Sequence, residues 1–439
     1  MDIKGDICMK KVIVRGPALT RSGYGEHVRA VLRSLRKIED KVDIYLIPVG
    51  WGATGWIVEK DEEREWFDAI VKKTSAAIQQ KQQFDVSIQV SIPNEWEQLA
   101  PINVGVTAGI ETTKVAPQWL EKGNMMDLII VPSQHSKQVY QKTSYEATNS
   151  ATNEIVPDYK CTTPIEVISY PVKEFTDLDL GLELQTDFNF INVAQWSPRK
   201  DLKSCIEWFV EEFIDQEVGL ILKTNRAKNC LMDKFACEKM IEQVLNRKRY
   251  KNKKCKIYLL HGDMTDQEMH QLYRHPKIKA FMTTSHGEGF GLPMFEAAYE
   301  GLPVVAPDWS GYLDFLYMPV VDKKGKTKSK AKFAKVEYSM RPISKNVVWD
   351  GVLQEGSMWA YSDQGSFKMR LREIYKDYGR FKKQATELQK WVRVTLSEEN
   401  INSQYVEALE TVCNLDSDQE IEDLFNELVS YDHGVVAGT

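Results

Sequence analysis

Two glutamates, Glu288 and Glu296, are separated by seven residues in the stretch SHGEGFGLPMFEAAYEGLPVVAP, residues 285–307. Glu288 sits between Gly287 and Gly289, with Gly291 close behind, where backbone can approach a ligand or take a positive φ. Pro293 suits a first helical turn, because its missing N–H costs nothing there. The preceding run KAFMTTS reads as a strand. Strand, glycine loop and helix together aim free N–H groups and a positive helix end at a phosphate. Two carboxylates would repel that phosphate, so their partners should be neutral hydroxyls; a carboxylate can accept both hydroxyls of a vicinal diol. A diphosphate with a diol at each end is a nucleotide sugar. One glutamate would hold the sugar and the other the ribose.

The E-x7-E spacing within HGEGFGLPMFEAAYEGLPVV resembles the signature of the retaining nucleotide-sugar glycosyltransferases of family 4, which have the two-domain GT-B fold. The resemblance follows the order of elements through most of the chain and is strong over this stretch. It implies that Glu288 is catalytic and contacts the donor sugar, and that Glu296 holds the ribose. Gly289, Phe290, Gly291 and Leu292 would line the donor. It further implies a UDP- or GDP-sugar as substrate, no resident cofactor, and retained anomeric configuration with the leaving phosphate helping to deprotonate the acceptor.

Other segments resemble the same family less closely. In VAQWSPRKDL, Gln195 stands where the family often has an arginine, while Arg199 and Lys200 keep positive charge nearby. Basic residues at a helix start are locally unfavourable, which favours a functional reason for them. Lys223 in LILKTNR is a second clamp for the diphosphate. RSGYGEH, with Gly23 and Gly25, resembles the glycine loop beneath diphosphate and acceptor. Glu111 resembles an acid that faces the cleft and orients the acceptor hydroxyl, helix capping being the alternative. Asp263 to Thr265 would border the nucleobase or cap the next helix, and Gly311 would approach the donor.

The elements that must position these residues are legible as short apolar runs. KKVIVRG, VDIYLIPV, FDVSIQV, INVGVTAG and LIIVPS alternate with helix-length segments, and Val28, Val31, Leu32 and Leu35 recur at helical spacing. The pattern restarts with FNFINVAQW, VGLILKT, CKIYLLHG, KAFMTTS and PVVAP. Such alternation predicts an α/β fold with parallel sheets covered on both faces. Two Rossmann-like domains facing across a cleft are expected: an acceptor domain over 1–176 and a nucleotide-sugar domain over 187–385. C-terminal helices and an acidic tail would fill 386–439.

Composition limits the alternatives. A length of 439 residues exceeds one ordinary core. The net charge of −6 argues against wholesale coating of nucleic acid, though not against a local basic groove. The seven cysteines form no CxxC pair, which suggests free thiols in a reducing, cytoplasmic setting. No apolar run is long enough to span a membrane. No metal site is expected, and the DxD of Asp177 and Asp179 falls in a turn-rich linker rather than after a strand. The basic runs NRKRYKNKKCK and DKKGKTKSKAKFAK are either solvated loops or a track for a polyanion. The acceptor is therefore a glycan or similar hydroxyl compound, or alternatively DNA carrying a hydroxymethylated base, as for phage enzymes of this fold. A nucleotide-sugar epimerase and a non-catalytic nucleotide-sugar binder are the further alternatives.

Overall fold

The computed structural model describes residues 9–148 and 152–413; the acidic tail and Cys8 lie outside them. The first half contributes β1 (Lys10–Gly16), β2 (Val42–Pro48), β3 (Val86–Val90), β4 (Ile102–Val106) and β5 (Leu128–Val131). A hairpin follows, β6 (Tyr145–Thr148) and β7 (Ile155–Tyr159), and then β8 (Ile165–Val167). The second half contributes β9 (Asn189–Val193), β10 (Gly219–Lys223), β11 (Lys256–Leu260), β12 (Ile278–Met282) and β13 (Val304–Pro307). Its last strands are β14 (Tyr317–Val321), β15 (Thr327–Ala331), β16 (Ala334–Val336), β17 (Tyr338–Pro342) and β18 (Met358–Ser362).

Two six-stranded sheets result, in the orders β2-β1-β3-β4-β5-β8 and β11-β10-β9-β12-β13-β16. Every pairing within them is parallel. These are the two Rossmann-like domains expected. Strand order reverses at β1/β3 in the first sheet and at β9/β12 in the second. In open parallel sheets the crevice for a ligand lies beyond the carboxyl ends of the strands at such a reversal. The loops after β9 and β12 carry Arg199, Lys200 and Glu288, so the topology sets these residues side by side.

The helices are α1 (Gly23–Arg36), α2 (Glu62–Gln79), α3 (Pro117–Gly123), α4 (Gln134–Lys142), α5 (Leu202–Glu212) and α6 (Leu231–Leu245). They continue with α7 (Asp266–Arg274), α8 (Leu292–Tyr299), α9 (Leu313–Leu316), α10 (Gln364–Lys376), α11 (Tyr378–Thr395) and α12 (Glu398–Cys413). Helix α1 starts where the Ser22 hydroxyl accepts the Gly25 N–H, and it buries Val28, Val31, Leu32 and Leu35 against the sheet.

Residue 385 falls inside α11. That helix packs on α8, with Lys382 donating to the Gly301 carbonyl and Gln389 to that of Tyr299. Helix α12 crosses back to the first domain, where Ile401, Tyr405, Leu409 and Cys413 join its core. Tyr405 is fully buried with its hydroxyl 2.9 Å from His27 Nε2. Tyr405→Ala should therefore cost about 3–5 kcal/mol, as for other buried aromatic truncations. Urea unfolding followed by a first-domain probe checks this; a loss below about 1 kcal/mol would show that α12 is dispensable to that core.

Sequence periodicity does not reveal the hairpins. The basic run after Leu316 forms β14–β15, closed by a turn in which Asp322 accepts the Lys324 and Lys326 N–H groups and Gly325 has φ +76°. Lysines alternate along its exposed strand, so no apolar face marks it.

Candidate active site

After β9 the chain makes a short helical turn over Pro198–Lys200, and Asp201, in the left-handed region at φ 45°, caps α5. That sharp turn sends Arg199 and Lys200 back toward the loop after β12. Glu288 Oε2 accepts Arg199 Nη1 at 2.8 Å, and Oε1 accepts the Ser285 hydroxyl at 2.6 Å and the Lys200 ammonium. Burial alone would raise the Glu288 pKa. Arg199 and Lys200 outweigh it and hold the carboxyl near 2. Burial and the neighbouring Arg199 push the Lys200 ammonium down. Gln195, by contrast, is exposed and donates to the Arg226 carbonyl, away from this cluster.

Glu111 follows β4 in the other domain, and its Oε1 lies 2.7 Å from Arg199 Nη2. Arg199 thus joins the two halves, and the cluster Glu111–Arg199–Glu288–Lys200 balances two positive and two negative charges. Burial raises the Glu111 pKa, and Glu288 adds to it against Arg199.

The glycines of this loop are explained by close approaches, some between the halves and some within the second half. A Cβ on Gly289 would overlap the Gly109 backbone and come within 2.6 Å of the Ala108 carbonyl. One on Gly287 would strike Trp309 at 2.6 Å, and one on Gly311 would reach the Glu288 carbonyl at 2.9 Å. Gly291 has φ +96° and opens α8. Ser133 donates to the Gly289 carbonyl at 2.6 Å, locking the same contact. Gly289→Ala should therefore pry the halves apart and lower turnover at least about tenfold, overpacking strain being ~1–3 kcal/mol. Steady-state kinetics with small-angle scattering checks this, and wild-type values in both would refute it.

Helix α8 carries Glu296 into a cavity of about 660 Å³ between the domains, whose walls include Gly23, Lys173, Lys223, Asp266 and Leu292. The Tyr273 hydroxyl donates to Glu296 Oε2 at 3.0 Å. Burial, with Asp266 nearby, pushes the Glu296 pKa up to about 8. Lys223 donates to the Gly262 carbonyl at the cavity wall, and burial lowers its pKa. Asp263 lines the same wall and accepts Asn229, while Thr265 forms a capping box with Glu268. Gly23 faces Leu292 across the cleft. Gly25 is required inside its own loop, where a Cβ would meet Thr20. The Phe290 ring is buried among Tyr170, Phe295 and Phe315, so this side chain belongs to the core rather than to the cavity wall.

Several groups here carry no sequence signal: Glu26, Lys173 and Asp266 reach the cavity from three separate elements, and the buried Tyr273 reaches Glu296 from behind it. Asp233, Cys237 and His261 also converge, their ligand atoms lying within 4.8 Å of one another. Asp233 is already taken up by the Arg226 and Ala227 N–H groups and by His261, a role that ties the loop to α6. Asp177 accepts Arg274 on the surface.

No protein-family model and no curated protein matches the chain. Solved structures do. HepE of Anabaena, in complex with UDP and glucose, is 14% identical, with TM-score 0.55 over 92% of this chain and 100% of that one. A glycosyltransferase from Rickettsia africae is 12% identical, with TM-score 0.57 over 92% and 99%. Sucrose-phosphate synthase from Thermosynechococcus elongatus is 13% identical, with TM-score 0.55 over 95% and 100%. At these identities the likeness is one of fold, and that fold is GT-B.

Proposed function

We propose that this protein is a retaining glycosyltransferase that moves a sugar from a nucleotide diphosphate donor to a hydroxyl acceptor of glycan type. The observation that carries the reading is the meeting of Glu288, Arg199 and Lys200 beyond the central strands of the second sheet, with Glu296 lining the adjoining cavity. The neighbours named as glycosyltransferases, and the UDP in HepE, support it.

In this scheme Arg199, Lys200 and the N-terminal end of α8 take the donor diphosphate, as preorganised positive charge for a leaving group. Their release from Glu288 frees its carboxylate for the donor sugar hydroxyls. Glu296 accepts the two ribose hydroxyls, and Gly262 to Thr265 border the base. Glu111 lies across the cleft beside Arg199 and orients the acceptor hydroxyl. The leaving phosphate takes the acceptor proton on the same face, which retains the anomeric configuration. The tight contact of Gly109 with Gly289 excludes water that would otherwise hydrolyse the donor. No resident cofactor is needed.

Three cations of the basic runs are already engaged by carboxylates of this chain. Arg247 and Arg249 pair with Glu207 and Glu211, and Lys335 with Asp308. No helix among the described residues is long and apolar enough to cross a membrane.

The test is a panel of UDP- and GDP-sugars with mixed oligosaccharide acceptors, read by mass spectrometry and by NMR of the new anomeric centre. Transfer with retained configuration is expected. An inverted product would exclude the retaining mechanism. Donor isomerisation without acceptor would indicate an epimerase, and binding without turnover a non-catalytic protein.

A further inference from the structure

Asp201 and His286, the chain neighbours of Lys200 and Gly287, line a second cavity of about 550 Å³. It shares no lining residue with the cavity between the domains. One wall is a face of the β17–β18 hairpin. Glu337 immediately precedes β17 and alternates with Ser339 and Arg341, so the three side chains share one face. Ser339 pairs with Tyr361 of β18, which adds its ring to that face. Helix α5 supplies Trp208, and Asp201 caps the same helix. The His286 N–H donates to the Arg199 carbonyl at 2.8 Å, and its carbonyl accepts the Ala360 N–H at 3.0 Å. The cavity therefore adjoins the loops that carry Arg199, Lys200 and Glu288.

Its polar groups are largely uncommitted. The Glu337 carboxylate forms no ion pair or hydrogen bond with another described residue, although Arg341 lines the same cavity. Arg341 donates through Nε alone, to the Ser339 hydroxyl at 3.0 Å, and its guanidinium carbon lies 5.4 Å over the Tyr361 ring. The hydroxyls of Tyr338 and Tyr361 also have no hydrogen-bond partner among the described residues. Trp208 and Tyr338 are half-buried; Trp208 meets one aromatic ring, Phe367 at 5.8 Å, and Tyr338 meets none.

We propose that this cavity is a second ligand site, for a neutral saccharide. Asp201, Glu337 and Asp363 repel a phosphate or a nucleic acid, and Arg341 opposes an organic cation. A wholly apolar ligand would strip water from these charges and return no hydrogen bond. A sugar hydroxyl both donates and accepts, so a row of hydroxyls serves Glu337, Ser339 and Arg341 together. The C–H face of a sugar ring suits the negative faces of Trp208 and Tyr338. The volume lies within the range of small-molecule sites. The inference goes beyond the transferase reading and does not depend on it.

The test is saturation-transfer NMR of the full chain with maltohexaose, cellohexaose and mannohexaose, each with and without UDP. At least one should bind, and UDP should not displace it, because the two ligands occupy different cavities. Glu337→Gln keeps the size of the side chain and should weaken that saccharide about tenfold or more, since hydrogen bonds to a charged group are lost. Ser339→Trp should abolish binding by filling the cavity. A thermal melt shows whether both variants fold; if Ser339→Trp does not, Glu337→Gln decides alone. The inference is overturned by a wild type that binds no saccharide, by displacement with UDP, or by unchanged affinity in Glu337→Gln. Binding of tetramethylammonium or glycine in place of every saccharide overturns it too. A wild type that binds saccharide but no nucleotide would refute the transferase reading and leave this site standing.

Discussion

Glu288→Gln is expected to lower kcat about 10- to 150-fold while leaving the donor KM unchanged or reduced. The substitution keeps shape and burial but removes the charge proposed to accept the sugar hydroxyls. A hydrogen bond to a charged group is worth about 1.5–3 kcal/mol, which sets the range. The direction of KM follows from the contacts of Glu288. Glu288 occupies Arg199 through Nη1 at 2.8 Å and also holds Lys200. Without that carboxylate both cations face the cleft balanced by Glu111 alone, so a diphosphate meets less competition. A structural role alone would raise KM and lower stability together. Steady-state kinetics with the preferred donor, beside a thermal melt, distinguishes the two, and a rise in KM with unchanged kcat would refute the assignment.

Glu296→Gln is expected to do the reverse, raising the donor KM about tenfold or more with a smaller effect on kcat. The wild type should also show a rise in kcat/KM with pH through about 8, reaching a plateau above it. Burial and then Asp266 set this value in the free enzyme. Below it Glu296 is mainly protonated and presents one acceptor oxygen fewer to the ribose, so affinity falls as pH falls. Above it the charged form prevails and the gain ends. kcat/KM reports groups of the free enzyme, which makes it the profile to record. The glutamine variant, which cannot ionise, should lack the inflection. An inflection that persists near pH 8 in Glu296→Gln would assign it to another group.

How much of this was legible from sequence depended on whether the signal was local. The strands flanking each crevice announce themselves because both faces are covered: Leu128–Val131 is buried at every position and reads as an unbroken apolar run. Glu288 and Glu296 were legible because glycines, a proline and a strand frame them within a single stretch. The purpose of the glycines was not, since Gly109 opposite Gly289 belongs to another domain and no local pattern links them. Phe290 reads as part of the donor loop, yet its ring completes a core formed with Tyr170 from the segment after β8. Glu26, Lys173 and Asp266 are spread over α1, the segment after β8 and α7, and only folding brings them to one cavity with Glu296. The return of α12 to the first domain was hidden for the same reason. Its apolar positions mark a helix without saying which core it joins.

The central claim is that one nucleotide sugar lies across this cleft, gripped at both ends by the two glutamates. A crystal structure with UDP-glucose, the donor type bound by HepE, tests it most directly. The account predicts the diphosphate against Arg199, Lys200 and the start of α8, the ribose hydroxyls on Glu296, and the sugar hydroxyls on Glu288. A nucleotide bound with its diphosphate remote from Arg199 and Lys200, or with Glu296 facing no ribose, would contradict it.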